Sequence, residues 1–583
     1  MRRGKLMSHR RWVQAGLVLA ICVPLLAQAA IGREPLALNG QPLTSAQILD
    51  VARDGRRVEI TAAAHARVAS AFQIVLAAAR ARQPVYGLTT GVGWNKDKKV
   101  LGPTKEGGVS PNAEPPPLDP ELLAASHRFN IGTLRAHAAG IGAPLPDEVV
   151  RAAMLLRLNL LLTGDGGVQP ALVEQYAAFL NAGITPVVPA RGSVGEADIA
   201  LTSHIGLALA GEWRVRRGGV DMPAAKALRA AGLHPVELVG KDFLSIIGDN
   251  TLTAADALFS VQALRSWLDD EITVFALSLE GLNGNVAPFL DVVVAAHPEP
   301  GFAAVAQRLR ATLQGSDLWK PSEGRALQDP LSFRTMPIVL GNVWDALDAA
   351  ERETLFTASH SGDNPVVLTD AGSLASEGDQ ARRYLVPGVA NAAIVPTANF
   401  EALPLVAALE RLSIALGHAS ESITASVLRF ENPALTGLPR FLTAPGNPGH
   451  GFGVVQKTVA ALNFDIRALA TPVSLESATL AGNIEDITNS GPLTARRLGD
   501  MIDDLYQLTS LQLLHAAQAV DLRPGFHLGA GTHPLLSGYR AHVPFAPQDR
   551  ILTDDIQAGV QYLRGLPRAA PSDATPRQGA PHE

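Results

Sequence analysis

Apolar positions recur with helical spacing along most of the chain, and the longest runs carry almost no glycine or proline. The stretch 61–82, TAAAHARVASAFQIVLAAARAR, is alanine-rich and predicts a helix. Upstream, Thr44 and Ser45 stand just before an apolar-periodic stretch, where an N-cap belongs. PDEVVRAAMLLRLNLLL (146–162) opens on proline and acids and is apolar nearly all round, which predicts a buried helix. Three longer runs, 253–282, 400–428 and 495–522, predict long helices. The first would reach about 40 Å. Long helices with buried faces indicate an all-α bundle shared between subunits. The stretch 94–120 is polar and rich in Gly and Pro, and reads as a mobile loop. The Pro- and Ala-rich tail, 566–583, reads as disordered.

The first thirty residues break the pattern differently. Arg2, Arg3, Lys5, Arg10 and Arg11 precede an apolar stretch from Trp12 to Leu26, and AQAA at 27–30 offers cleavage after Ala29 or Ala30. That is the layout of a signal peptide, so export to the periplasm or beyond, as a soluble protein, is expected. A retained membrane anchor is the alternative; an apolar core shorter than the ~20 residues of a span, and Pro24 within it, argue against it. The single cysteine, Cys22, falls in this leader. The mature chain would have no disulfide, thiol nucleophile or cysteine-bound metal. Of 583 residues 47% are hydrophobic, enough for a large core, and the net charge of -6 comes from interspersed signs. No basic stripe is present, so nucleic acid is not an expected partner.

Polar clusters punctuate the apolar background. They hold Tyr86 beside a glycine turn, His137 among alanines, and Gln328, Asp329 and Arg334 in LQDPLSFRTMPIVLG. Further on come Asn364, Asn399, Phe400, Asn483, Glu485 and Asp486. A tyrosine, a histidine, an arginine and several amides suit acid–base chemistry and carboxylate binding. RGSVGEADIALTSHIG (191–206) delivers Glu196 and Asp198 directly after a glycine turn. Capping of the helix that follows accounts for Asp198. His204 reads as core, and the acids at 268–271 as a solvated or intersubunit face. The three histidines within 515–533 lack the spacing of a helix-face metal pair, and no metal is expected.

These segments, in this order, resemble the histidine and aromatic amino-acid ammonia-lyases over about residues 40 to 530. YGLTTGVG is similar to the family's tyrosine loop; RAHAAGIGAPL, GITPVVPARGSVG, LQDPLSFRTMPIVLG and LATPVSLESATLAGNIEDITNSG are similar to further motifs. The resemblance implies an all-α, fumarase/aspartase-like long-helix bundle in a homotetramer, each active site drawing on three chains. After the leader at 1–30, the expected organisation is an active-site domain at 31–250, the central bundle at 251–530 and a C-terminal segment with the disordered tail at 531–583. The resemblance also implies elimination of an amine from a small amino-acid substrate, leaving an unsaturated acid. By position, Tyr86 lies in the base loop with His137 nearby. Gln328, Arg334, Phe400 and Glu485 contact substrate, Arg334 at the carboxylate and Glu485 at an imidazole.

One part of the pattern is missing. Family enzymes cyclise Ala-Ser-Gly after GSVG into methylideneimidazolone, the electrophile that activates the amine. Here Gly195-Glu196-Ala197-Asp198 has no serine to dehydrate, so no such cofactor is expected. The family's asparagine falls on Gly248, with Asn250 as the substitute contact; its second tyrosine falls on Leu331 and a glutamine on Ile338. A carboxylate cannot act as an electrophile, but it can hold a cation. Glu196, with Asp198 and an aromatic such as Trp94 or Phe400, would suit a quaternary ammonium. Trimethylamine leaves without covalent activation, so it is favoured over ammonia. Tyr86, ionised by nearby positive charge, would take the β-proton. This combination resembles the ergothionase branch of the superfamily. The alternative is a non-catalytic exported relative that binds an amino-acid-like ligand or scaffolds a complex.

Overall fold

Thr44 accepts the Gln47 N–H while the Gln47 side chain accepts the Thr44 N–H, a reciprocal cap that starts the Ser45–Ala52 helix. The computed structural model describes residues 33–101 and 119–568. The leader with Cys22, most of the 94–120 loop and the tail from 569 lie outside the described residues.

The alanine-rich run forms the Ala62–Arg80 helix, with Thr61 capping Ala64 N–H. By length and composition this helix is apolar enough to cross a membrane. Its apolarity has a packing reason: Val68, Ala71, Ile74, Val75 and Ala78 are buried in the N-terminal cores. The Asp147–Leu161 helix is buried nearly all round, as its sequence predicts. Asp119 and Pro120 start a further helix that runs to His137.

Five helices build the bundle: Thr251–Leu282 (α1), Met336–Thr357 (α2), Leu403–Phe430 (α3), Val455–Leu469 (α4) and Gly491–Asp521 (α5). At 32 residues, α1 is about 48 Å long, and it packs most extensively against α5. One apolar core runs through this bundle; another fills the N-terminal half and includes Leu252, Ala254, Ala255 and Leu258 of the first turns of α1. The strands are short and lie in sheets of two or three, such as Pro189–Arg191 antiparallel to Ile141–Pro144. The architecture is all-α in substance.

Of the acids at 268–271, expected on a solvated or intersubunit face, Asp269 is partly exposed and paired with Arg308, whereas the other two are buried within the chain. Glu271 is fully buried and accepts from Thr509 Oγ1 of α5 at 2.7 Å, and Asp270 pairs with Arg568 at 2.6 Å. A helix at the centre of a bundle buries every face, so charge there marks an internal pair. Burial pushes the Glu271 carboxyl up to about 8, against the lowering effect of the Thr509 hydroxyl.

Candidate active site

The 192–198 turn leaves the Pro189–Arg191 strand and enters the Ile199–Leu209 helix. Its backbone is shaped by its neighbours. Gly195 sits at φ +102, and a Cβ there would lie 1.8 Å from Asn489 Oδ1. Ala197 takes φ +60, a strained conformation for a residue with a side chain.

Three helix starts meet this turn. Asp198, fully buried, accepts the Thr253 N–H of α1 at 2.9 Å and the Thr253 hydroxyl at 2.9 Å. Glu401 accepts the Leu403 N–H of α3 at 2.7 Å. Asn489 Oδ1 accepts the Gly491 N–H of α5, and Ser490 N–H reaches Val194 O at 2.8 Å. The N-terminal ends of helices carry unsatisfied N–H groups and partial positive charge. Carboxylates gathered there answer that field. Asp198 does cap a helix, but it is α1, across the turn, and it makes no side-chain cap to the helix that follows it. Burial still raises its carboxyl to about 7.

Glu196 is different. Its backbone bridges to Glu401, and the one amide near its carboxyl is Asn489 Nδ2 at 3.5 Å. Burial first, then the charge and hydrogen bond of Glu401 and the charge of Glu485, push Glu196 up to about 7.

Glu196 lines a cavity of about 460 Å³ together with Tyr86, Phe400, Glu485, Asn364 and Gly248. Tyr86 Oη accepts the Gly93 N–H at 2.7 Å. Burial and Glu485 raise the phenol above its ordinary value, against the lowering effect of that N–H. The expected positive neighbour is therefore not supplied within the described chain. Lys96, the basic residue on the lining, is engaged with Asp97. Glu485 is held by a backbone bridge to Leu480. Trp94 does not face the amine end. Its indole covers Gly482 closely enough that a Cβ there would lie 2.2 Å from the ring, so it ties the Tyr86 loop to the Glu485 loop.

The remaining expected site residues lie elsewhere. Asn250 does not line the Tyr86 cavity; its Nδ2 donates to Phe400 O and its side chain faces a neighbouring cavity. Gly248 reaches the Tyr86 cavity instead, and a Cβ there would meet Leu244 O at 2.8 Å, which leaves little room for an asparagine. His137 ends the Pro120–His137 helix, bonded to Thr133 O at 2.7 Å, and is not on the cavity lining. Gln328 and Arg334 bond each other at 2.8 Å on a different face of the chain. Leu327 and Leu331 beside them are 91% and 61% exposed. His204 is buried against Trp213. Glu401 is the site residue the sequence reading passed over. Only its place two residues before an apolar helix hinted at a capping role. Among the described residues, no three His, Cys, Asp or Glu are grouped as metal ligands would be.

The model of the family described as aromatic amino acid lyase matches residues 43–541. Histidine ammonia-lyase of Deinococcus radiodurans is 33% identical over 518 residues, 88% of this chain and 90% of its own. That of Koribacter versatilis is 31% identical over 92% of this chain and 99% of its own. Among solved structures, ergothionase of Treponema denticola, an ergothioneine-degrading enzyme in complex with desmethyl-ergothioneine sulfonic acid, superposes with a TM-score of 0.81 at 36% identity, covering 91% of this chain and 99% of its own. Histidine ammonia-lyase of Trypanosoma cruzi superposes with a TM-score of 0.75 at 25% identity, covering 91% and 93%.

Proposed function

The chain belongs to the aromatic amino acid lyase family, and from that premise we propose a carbon–nitrogen lyase acting on an imidazole-bearing betaine, with trimethylamine as the leaving group. One observation carries the reading: Tyr86, Glu196, Phe400 and Glu485 converge on one cavity at a turn that contains no Ala-Ser-Gly.

The residues of this turn do not fit the family's prosthetic group. Glu196-Ala197 holds no hydroxyl to dehydrate, and Ser193, the hydroxyl nearby, donates to Asp198 Oδ1 at 3.1 Å. We therefore route no step through an internal electrophile. Glu196, with Glu401 bridged behind it, supplies the negative charge against which a quaternary ammonium is held, and Phe400 offers an aromatic face. Glu485 accepts from the imidazole N–H.

Tyr86 is the base. Burial and Glu485 oppose its ionisation, and the Gly93 N–H favours it. A bound quaternary cation supplies the missing positive charge, so the base is armed only when a permanently charged substrate is present. A neutral or reversibly protonated amine gives no such fixed charge. The substrate carboxylate is held by Arg334 of another copy in a homotetramer. The exposed Leu327 and Leu331 around Arg334 support such packing.

The test is a substrate panel: histidine, its trimethylammonium betaine, ergothioneine and phenylalanine, followed by the absorbance of the conjugated acid and by release of amine. Turnover of a betaine with none of histidine is expected. Ligand binding without any turnover would favour the non-catalytic alternative, and rapid release of ammonia from histidine would overturn the proposal.

A further inference from the structure

Behind the Glu196–Glu401 pair lies a second cavity, of about 680 Å³, lined among others by Asn250, Glu353, Phe356, His360, Glu401 and Leu405. Glu196 borders the first cavity and Glu401 the second, and their backbones form an isolated bridge. The pair is a partition between the two spaces. The chemistry of the second cavity is one-sided. Glu353 and Glu401 bring carboxylates, Leu405 an apolar wall, and no Lys or Arg lies on its lining among the described residues.

Two further features point to a ligand. Asn250 is only 5% exposed; its Nδ2 donates to Phe400 O, while its Oδ1 is buried without a donor. An orphaned buried acceptor costs about 1–3 kcal/mol, and an N–H from a bound ligand would remove that cost. Phe356 is 58% exposed, with the His360 ring stacked on it at 4.0 Å between centroids, His360 Nδ1 being tied to Phe356 O. A broad aromatic face beside carboxylates is what a methylated ammonium prefers.

We propose that this second cavity receives the departed amine as a small protonated tertiary ammonium ion, N–H toward Asn250 Oδ1 and methyl groups against Phe356 and Leu405. This rests on the elimination reading above. In that step the C–N bond breaks with its electron pair on nitrogen, the β-proton passes to Tyr86, and the C=C bond forms. The amine leaves as a neutral base. A tertiary amine is a stronger base than water at neutral pH, so it takes a proton from solvent and becomes cationic. The proton on Tyr86 later returns to solvent. The newly formed ammonium is thus drawn toward Glu401 and away from the unsaturated acid, which makes recombination less frequent.

The test uses the full chain and trimethylammonium chloride as probe, titrated by its methyl NMR signal. Phe356→Ala should weaken binding about tenfold, and Glu353→Gln should weaken it to a smaller extent. Neither should move the substrate KM. Tetramethylammonium, which has no N–H for Asn250, should bind more weakly than trimethylammonium. The proposal is overturned if both variants bind trimethylammonium as the parent does, or if Phe356→Ala shifts substrate KM as much as amine affinity. Phe356-dependent binding in a protein that releases no amine from any substrate would sink the elimination reading and keep the cavity. Amine release without Phe356-dependent binding would do the reverse.

Discussion

The wall of the Tyr86 cavity and the Arg334 segment came from the same kind of motif reading, yet they sit in opposite physical states. The first is finished within one chain. Glu401 and Asp198 are pinned to the starts of α3 and α1, and Trp94 clasps the two loops that carry Tyr86 and Glu485. The second is unfinished. Arg334 holds Gln328 across a surface where Leu327 and Leu331 face outward, and its Nε is buried without a partner. A buried donor in want of an acceptor, ringed by exposed leucines, is what a surface awaiting a partner presents. On the proposed reading, the contrast separates the pocket for the amine and ring from the clamp for the carboxylate.

The strongest way to break this comparison is to disable each half separately. Tyr86→Phe should lower kcat by about a thousandfold with ligand binding retained, and Arg334→Ala should lower kcat/KM by about a hundredfold, mainly through KM. Mixing the two impaired variants under conditions that allow subunit exchange should restore part of the activity at low substrate. If the mixture shows no gain over the separate variants while mixed oligomers form, the clamp and the pocket do not come from different copies.

A smaller effect sharpens the difference between the two acids of the turn. Asp198→Ala removes the acceptor for Thr253 N–H at the buried start of α1 and should cost about 1–3 kcal/mol in a denaturant titration. Glu196→Gln should cost nothing there. With Glu196 raised to about 7 from an ordinary carboxyl value, its ionisation in the empty protein opposes folding. Stability should therefore fall as pH rises from the ordinary carboxyl range toward 7, and this slope should flatten in Glu196→Gln.

The smallest effect concerns ligand. A quaternary cation favours ionised Glu196, so affinity for trimethylated ligands should rise as pH passes through 7, then level off. In Glu196→Gln the profile should be flat, by fluorescence or calorimetric titration. A flat profile in the parent protein would remove Glu196 from the cation wall.

The helices were legible because their cause is local: apolar residues at helical spacing, the Thr44 cap of the short Ser45–Ala52 helix, and Pro146 before Asp147–Leu161. Tyr86, Phe400 and Glu485 were legible by motif, and the cavity brings them together. What escaped the sequence was set by distant partners. Asp198 reads as a cap for the next helix, but Thr253 lies 55 positions away and claims it. Asn250 reads as a substrate contact, yet the start of α1 turns it behind Phe400. Glu271 reads as solvated because nothing in its own segment announces Thr509. Glu401 is invisible until the turn and α3 are folded against each other.

The proposed chemistry depends on Glu196 standing at a turn that carries no internal electrophile. The most direct measurement is the mass of the tryptic peptide from Gly192 to Arg214 in active, purified protein. The expected result is the mass of the unmodified sequence in a preparation that releases trimethylamine from a betaine. A peptide lighter by the loss of water at Glu196-Ala197 or Ser193, in that same active preparation, would contradict it.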